Sequence, residues 1–229
     1  EPPAVLVGTP GRIDDHLNRK NFSPTTIHTL ILDEFDKALE FGFQEEMKAI
    51  IKRLENMNQR YLTSATAIES VPNFVGANEY KVVDFSAEQK VQGLSLFEVR
   101  AEENDKLQVL FELVCTFNNE LTLVFCNHRE AVDRISKLLS KYEIENSVFH
   151  GGLSQNDRER ALVKFRNGTS TLLITTDLAA RGLDIPEIKN VVHYQLPPKE
   201  DAYIHRNGRT ARMHEKGASF LVLSELESI

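Results

Sequence analysis

The chain has 229 residues, 41% of them hydrophobic and 27% charged, the balance of a packed protein and not of a disordered chain, a collagen or a coiled coil. At about 150 residues per domain, that length predicts roughly one and a half domains. The net charge of -7, from 27 basic and 34 acidic side chains, argues against holding nucleic acid or an anionic membrane by bulk charge, and leaves room for a local basic groove.

Short β-branched runs alternate with longer amphipathic stretches, the pattern of βαβ units and a mainly parallel sheet. In chain order, strands are predicted at 4–7, 29–32, 60–63 and 80–83, with helices between them. The clearest helix is 43–54, where Met47, Ile50, Ile51 and Leu54 recur at helical spacing. The polar stretch 85–93 reads as a linker. A second series follows, with strands near 94–99, 122–126, 147–149, 171–175, 191–194 and 219–223 and helices at 105–117, 130–141, 155–165 and 200–207. Six strands with crossover helices make a complete doubly wound domain. The expected organisation is therefore residues 1–85 as a partial domain and 86–229 as a whole one.

Two cysteines, Cys115 and Cys126, both in apolar runs, predict no disulfide framework and a reducing, cytoplasmic setting. No run reaches the roughly 20 apolar residues of a membrane span, and Glu1-Pro2-Pro3 lacks the features of a signal peptide. The pattern starts in mid-course without an initiator Met, as a fragment would.

The strand Leu30-Ile31-Leu32 runs directly into Asp33-Glu34-Phe35-Asp36. Ligands of parallel sheets lie beyond the carboxyl ends of strands. A carboxylate pair there suits phosphate hydrolysis, one holding Mg²⁺ through water and the second orienting or deprotonating the attacking water. The local alternative is a helix N-cap. Ser64-Ala65-Thr66 ends the next strand; its hydroxyls suit links to neighbouring carboxylates, although taken alone it reads as a turn. In His205 to Arg212, Arg209 and Arg212 are three apart and would share a face on a helical turn. Two guanidiniums suit the oxygens of a transferring phosphoryl group, and such fingers are worth roughly 10³ to 10⁵ in rate, about 4 to 7 kcal/mol. The alternative is a solvated basic helix end. Between Gly151 and Gly217 there are 11 basic and 8 acidic residues, a local +3 in a chain of -7, beside the loops His150-Gly151-Gly152 and Thr175-Thr176-Asp177, whose glycines and hydroxyls suit phosphate contact.

Taken in order, Thr9-Pro10-Gly11-Arg12, Asp33 to Asp36, Ser64 to Thr66, Val124 to Asn127, His150-Gly151 with Gln155 and Arg158, Thr176 to Asp184, and His205 to Arg212 resemble the DEAD-box RNA helicases along the whole chain. The resemblance implies an α/β architecture of two RecA-like parallel-sheet domains, the first present only as its C-terminal half, with ATP and Mg²⁺ in the cleft and RNA across both. It gives Asp33 the Mg²⁺, Glu34 the water, and Asp36, Ser64, Thr66 and His205 the coupling to the domain interface. Asp184 would meet the ATP ribose, Gly182 would also bind the cofactor, and Arg209 and Arg212 would complete the site. Thr9, Pro10, Gly11, Arg12, Gly151, Gln155, Arg158 and Thr176 would follow the RNA backbone, as single strand or short duplex, without reading bases.

The sequence departs from the family at four points. Phe35 replaces the alanine of the name motif, Ala211 replaces a glycine between the arginines, and Gln195 stands where an aspartate usually follows Tyr194. No Gly-x-x-x-x-Gly-Lys-Ser/Thr occurs, so the loop that cradles phosphates is missing. An ATP-dependent RNA helicase whose fragment is itself inactive is the expectation. The alternatives are an ATP-independent RNA-binding module and a DNA-directed relative. The other histidines show no metal-ligand spacing, Cys126 reads as core, and Glu102, Glu103 and Asp105 read as a helix start.

Overall fold

Strand and helix patterns separate into two units, Glu1–Asp84 and Phe85–Ile229, and the computed structural model describes residues 3–66, 68, 70–77, 79–85, 93–101, 105–180, 185, 188–211, 216–224 and 227. Among the described residues no helix is long and apolar enough to cross a membrane.

The first unit contains α1 (Pro10–Asn18), β1 (Thr29–Leu32), α2 (Phe35–Glu40), α3 (Gln44–Arg53) and β2 (Gln59–Leu62), with single 3-10 turns at Pro24–Thr26 and Asn73–Val75. The crossover through α2 and α3 returns β2 parallel to β1, in register from Thr29 opposite Gln59 to Leu32 opposite Leu62. Alternation then puts Leu30 and Leu32 inward and leaves Ile31 and Tyr61 exposed on the other face. Leu17, Ile50, Leu54 and Met57 make one buried cluster and Phe35, Met47 and Val75 another.

Two expectations fail in this unit. Residues 4–7 and 80–83 join no ladder, and the pairing of β1 with β2 is the unit's sheet among the described residues. A β-branched run becomes a strand only where a neighbour completes its hydrogen bonds. Without one, Val5, Val7, Val82 and Val83 stay exposed. The helix expected between residues 4–7 and β1 does form, as α1. Thr9 at the N-cap and Pro10 at the first helical position start it, and Ile13 and Leu17, one turn apart, dock it on the α3 cluster.

The second unit runs β3 (Leu94–Ala101), α4 (Lys106–Cys115), β4 (Thr122–Cys126), α5 (Arg129–Lys141), β5 (Ser147–Phe149), α6 (Gln155–Arg166), β6 (Leu172–Thr176), α7 (Asp177–Ala180), β7 (Asn190–His193), α8 (Glu200–Asn207) and β8 (Gly217–Ser224). Its six strands lie parallel in the order β3-β8-β7-β4-β6-β5. Central β4 is buried along its length. Val124 and Cys126 pack with Leu110 of α4 and Val132, Ile135 and Leu139 of α5, whereas Leu123 and Phe125 pack with Ala161 and Phe165 of α6 and Ala180 of α7. Asp105 caps α4 by accepting from Gln108 N at 3.2 Å, so it is a helix start as expected; Glu102 and Glu103 lie outside the described residues. The chain leaves β4 toward one edge and β7 toward the other. That reversal opens a crevice beyond the carboxyl ends of these neighbours, the usual place of a ligand in a doubly wound sheet.

Candidate functional site

In the first unit, parallel register brings the ends of β1 and β2 side by side. Leu32 pairs with Leu62, so Asp33 and Thr63 follow as neighbours. The Thr63 hydroxyl donates to Asp33 Oδ1 and accepts from Glu34 N at 3.3 Å, while Thr63 O accepts from Phe35 N at 2.9 Å. Glu34 sits at φ 48, ψ 47, a left-handed conformation that costs a non-glycine residue about 1–2 kcal/mol. It stands at the N-cap of α2 without a side-chain cap bond, so capping does not account for its carboxylate. Phe35 turns inward and is 0% exposed, its ring 6.4 Å from that of Phe74.

The Thr66 hydroxyl donates to Asp36 Oδ2 at 2.8 Å, and Ser64 Oγ donates to Thr66 O at 2.6 Å. The turn expected at 64–66 is present, and through Thr66 it also ties the end of β2 to α2. Asp36 Oδ1 is buried with no partner among the described residues. Asp33, Glu34, Asp36, Ser64 and Thr66 therefore gather in one turn pair. Sequence reasoning missed Thr63, although the shared offset of 30 residues between Asp33 and Thr63 and between Asp36 and Thr66 is a readable signal.

Thr9, Pro10, Gly11 and Arg12 form the start of α1. Thr9 O accepts from Ile13 N at 3.0 Å, Arg12 Nη2 donates to His16 Nε2 at 3.2 Å, and a side chain at Gly11 would meet open space.

In the second unit the crevice beyond β4 and β7 is filled by Arg206. Its guanidinium donates from Nε to Asp177 Oδ1 at 2.5 Å, from Nη2 to Asp177 Oδ2 at 2.7 Å and Asn127 Oδ1 at 2.8 Å, and from Nη1 to Gln195 O at 2.7 Å. It also lies over the Phe125 ring at 5.1 Å. Gln195 Oε1 accepts from Asn127 N at 2.9 Å and so holds the ends of β4 and β7 together. His193 is buried behind this network against Asn207; burial, reinforced by the Arg206 charge, pushes its pKa down to about 4. Burial likewise pushes the Cys126 thiol up to about 12, in keeping with a core cysteine. Arg206 was legible only as one cation among several; its role as a buried hub follows from contacts distant in sequence.

His205 and Arg209 line a shallow pocket with Phe125, Asp177, Ala180, Ala202 and Arg206. Arg209 does not stand on the helical turn expected for it: α8 ends at Asn207, Arg209 Nε donates to His205 O at 3.3 Å in the following turn, and Ala211 lies at φ 52. Arg212, Asp184 and Gly182 lie outside the described residues.

Gly151, Gln155, Arg158 and Thr176 come together at another corner. Gly151 follows β5, Thr176 ends the adjacent β6, and Gln155 and Arg158 stand in the first turns of α6. Gln155 Nε2 donates to Glu159 at 2.9 Å, and Arg158 Nε is buried with no partner among the described residues.

These features agree with what the chain is similar to. Residues 1–74 match the DEAD/DEAH box helicase model and residues 105–214 that of the helicase conserved C-terminal domain. The chain belongs to the DEAD-box helicase family. It is 35% identical to the ATP-dependent RNA helicase CshA of Limosilactobacillus reuteri, covering 98% of this chain and 46% of that protein, and 35% identical to eukaryotic initiation factor 4A of Drosophila melanogaster, covering 96% and 56%. Among solved structures it is similar to S. cerevisiae Dbp5 bound to RNA and ADP BeF3, with TM-score 0.81, 29% identity and coverage of 96% of this chain and 59% of that one. The chain thus spans about half the length of the curated relatives it matches. Within this family's fold, the first unit corresponds to the latter half of a RecA-like domain and the second to a whole one. Phe35, in the alanine position of the helicase name motif, is accommodated by the pocket of Met47, Phe74 and Val75.

Proposed function

We propose that this chain provides the water-activating turn and the second domain of an ATP-dependent RNA helicase, in which RNA-stimulated ATP hydrolysis drives local separation of RNA duplexes or remodelling of RNA–protein complexes. The observation that carries this reading is the acidic turn, where Asp33 and Glu34 are fixed by Thr63 and Asp36 by Thr66 at the carboxyl ends of parallel strands. One or two oxygen donors, completed by waters and substrate phosphates, are what Mg²⁺ takes. Asp33 would hold it through water and Glu34 would take the proton of the attacking water.

Arg209 and Arg212 are assigned to the charge of the transferring phosphoryl group, Asp184 and Gly182 to ATP, and Asp36, Ser64, Thr66 and His205 to coupling hydrolysis with RNA binding. Thr9, Pro10, Gly11 and Arg12 in one unit, and Gly151, Gln155, Arg158 and Thr176 in the other, are assigned to phosphate and 2′-hydroxyl contacts. The cytoplasm is the proposed setting. The sequence contains no Gly-x-x-x-x-Gly-Lys-Ser/Thr loop, so hydrolysis is proposed for the protein that supplies one, and the 229-residue chain alone is expected to be inactive.

In that longer protein, Glu34→Gln should lower RNA-stimulated ATP turnover at least about 100-fold while RNA still binds. Unchanged turnover overturns the assignment. RNA binding without any ATP turnover in the wild type would favour the ATP-independent module, and equal stimulation by single-stranded DNA would favour a DNA-directed enzyme.

A further inference from the structure

One buried titratable side chain stands beside the corner assigned to RNA and has no role there so far. His150, immediately after β5, is 4% exposed. Its Nε2 lies 3.0 Å from Asp133 Oδ1 on α5, and its Nδ1 lies 3.2 Å from Gly152 N. A carboxylate only accepts and a backbone N–H only donates. The two contacts therefore define one neutral tautomer, with hydrogen on Nε2 and a bare Nδ1.

This ring closes the turn that follows. Leu153 N donates to His150 O at 3.2 Å, and a Cβ on Gly152 would meet His150 Nδ1 at 3.2 Å and Cε1 at 3.3 Å, so glycine is what permits the contact. Gly151 is the opposite case. It is exposed, a Cβ there would meet nothing within 4 Å, and its N–H has no partner among the described residues. The turn thus pins one glycine amide to the histidine and leaves the other open to a ligand, at the corner shared with Gln155, Arg158 and Thr176.

We propose that Asp133 and His150 are positioning residues for RNA: Asp133 fixes the His150 tautomer, His150 fixes Gly152, and the turn so held presents the Gly151 amide to a phosphate or ribose oxygen. The proposal rests on the RNA-binding reading above. Neither side chain contacts the ligand; their effect is to order the turn before binding, which removes an ordering cost from the complex.

The test uses the 229-residue chain and a short fluorescein-labelled oligouridine at low salt, read by anisotropy. Asp133→Ala should weaken binding about tenfold, whereas Asp133→Asn, which keeps the acceptor oxygen, should stay within about threefold of wild type. Long-range ¹H–¹⁵N NMR should show the His150 proton on Nε2 in wild type and in Asp133→Asn. Arg158→Ala, which removes a proposed phosphate contact directly, is the control. If wild type binds and Arg158→Ala weakens it while Asp133→Ala does not, the positioning pair is overturned and the RNA reading stands. Failure of the wild-type chain to bind overturns that reading at this corner and the proposal with it. A proton on Nδ1 overturns the pair regardless of RNA. Asp133 is half-exposed, so alanine should fold. Should its melting temperature nonetheless fall, the wild-type Gly151 amide decides: a shift on adding RNA supports the proposal and an unmoved resonance overturns it.

Discussion

Arg206 and Asp177 are joined by two parallel hydrogen bonds, at 2.5 and 2.7 Å, with the arginine side chain 1% exposed. A bidentate pair of this kind orients as well as attracts. Removing one partner of a buried pair leaves the other charge uncompensated, at a cost of about 3–5 kcal/mol. Asp177→Ala should therefore destabilise the second unit by roughly 3 kcal/mol in denaturant unfolding. Arg206→Lys should lose a similar amount, because a single ammonium cannot reach Asp177, Asn127 and Gln195 together. A loss below about 1 kcal/mol in both variants would rule out Arg206 as the hub of the crevice.

His193 makes stability depend on pH in a defined window. Its pKa is lowered from 6.5 to about 4, first by burial and then by the Arg206 charge. Between these values the unfolded chain binds a proton that the folded chain refuses, so stability is full above about pH 6.5 and falls on acidification until about pH 4. The shift corresponds to roughly 3 kcal/mol over the window. Urea unfolding of wild type and His193→Gln between pH 4.5 and 7 should show a steeper acid loss in wild type; parallel curves would refute the assignment.

The turn after α8 has little tolerance on one side and some slack on the other. A Cβ on Gly217 would stand 2.1 Å from Thr210 Oγ1 and 2.8 Å from Ala211 N, and that hydroxyl is held by Ile188 O at 2.6 Å. Gly217→Ala should destabilise by about 3 kcal/mol through overpacking. Ala211 lies at φ 52, where glycine relieves about 1–2 kcal/mol of strain against an unfolded-state entropy cost of about 0.4–1 kcal/mol. Ala211→Gly should thus raise stability by several tenths of a kcal/mol. Melting temperatures that move in opposite directions for the two variants are the expected outcome.

Thr63 supplies the hydroxyl that fixes Asp33 while receiving the Glu34 amide. In the protein carrying the phosphate loop, Thr63→Val should lower ATP turnover about 10- to 100-fold, as loss of an orienting partner does elsewhere. Thr63→Ser should restore most of it. Equal turnover in valine and serine variants would show that the hydroxyl is not what orders the carboxylates.

The second unit was largely legible because its central strands β4, β6 and β7 are buried on both faces, so that each apolar run marks a strand by itself. Thr122–Cys126 and Ser147–Phe149 carry the expected bounds. The first unit was less so: Val5, Val7, Val82 and Val83 carry strand-like sequence, yet pairing is a property of neighbours and not of a segment. The acidic turn was readable from Asp33 to Asp36, but Thr63 becomes visible only once two strands are placed in register. Arg206 went without a role for a related reason. Composition shows that a cation is present, whereas Asp177, Asn127 and Gln195, which bury it, are brought together by three separate crossovers.

Phe35 ties two selective pressures to one side chain. Its ring seals the packing of Met47, Phe74 and Val75, and its backbone opens α2 between Glu34 and Asp36, with its N–H held by Thr63 O. A lineage carrying this residue cannot trade robustness of the domain against geometry of the acidic turn. Drift in the surrounding core is felt at the carboxylates, and any later return to a small residue must be accompanied by repacking beneath them.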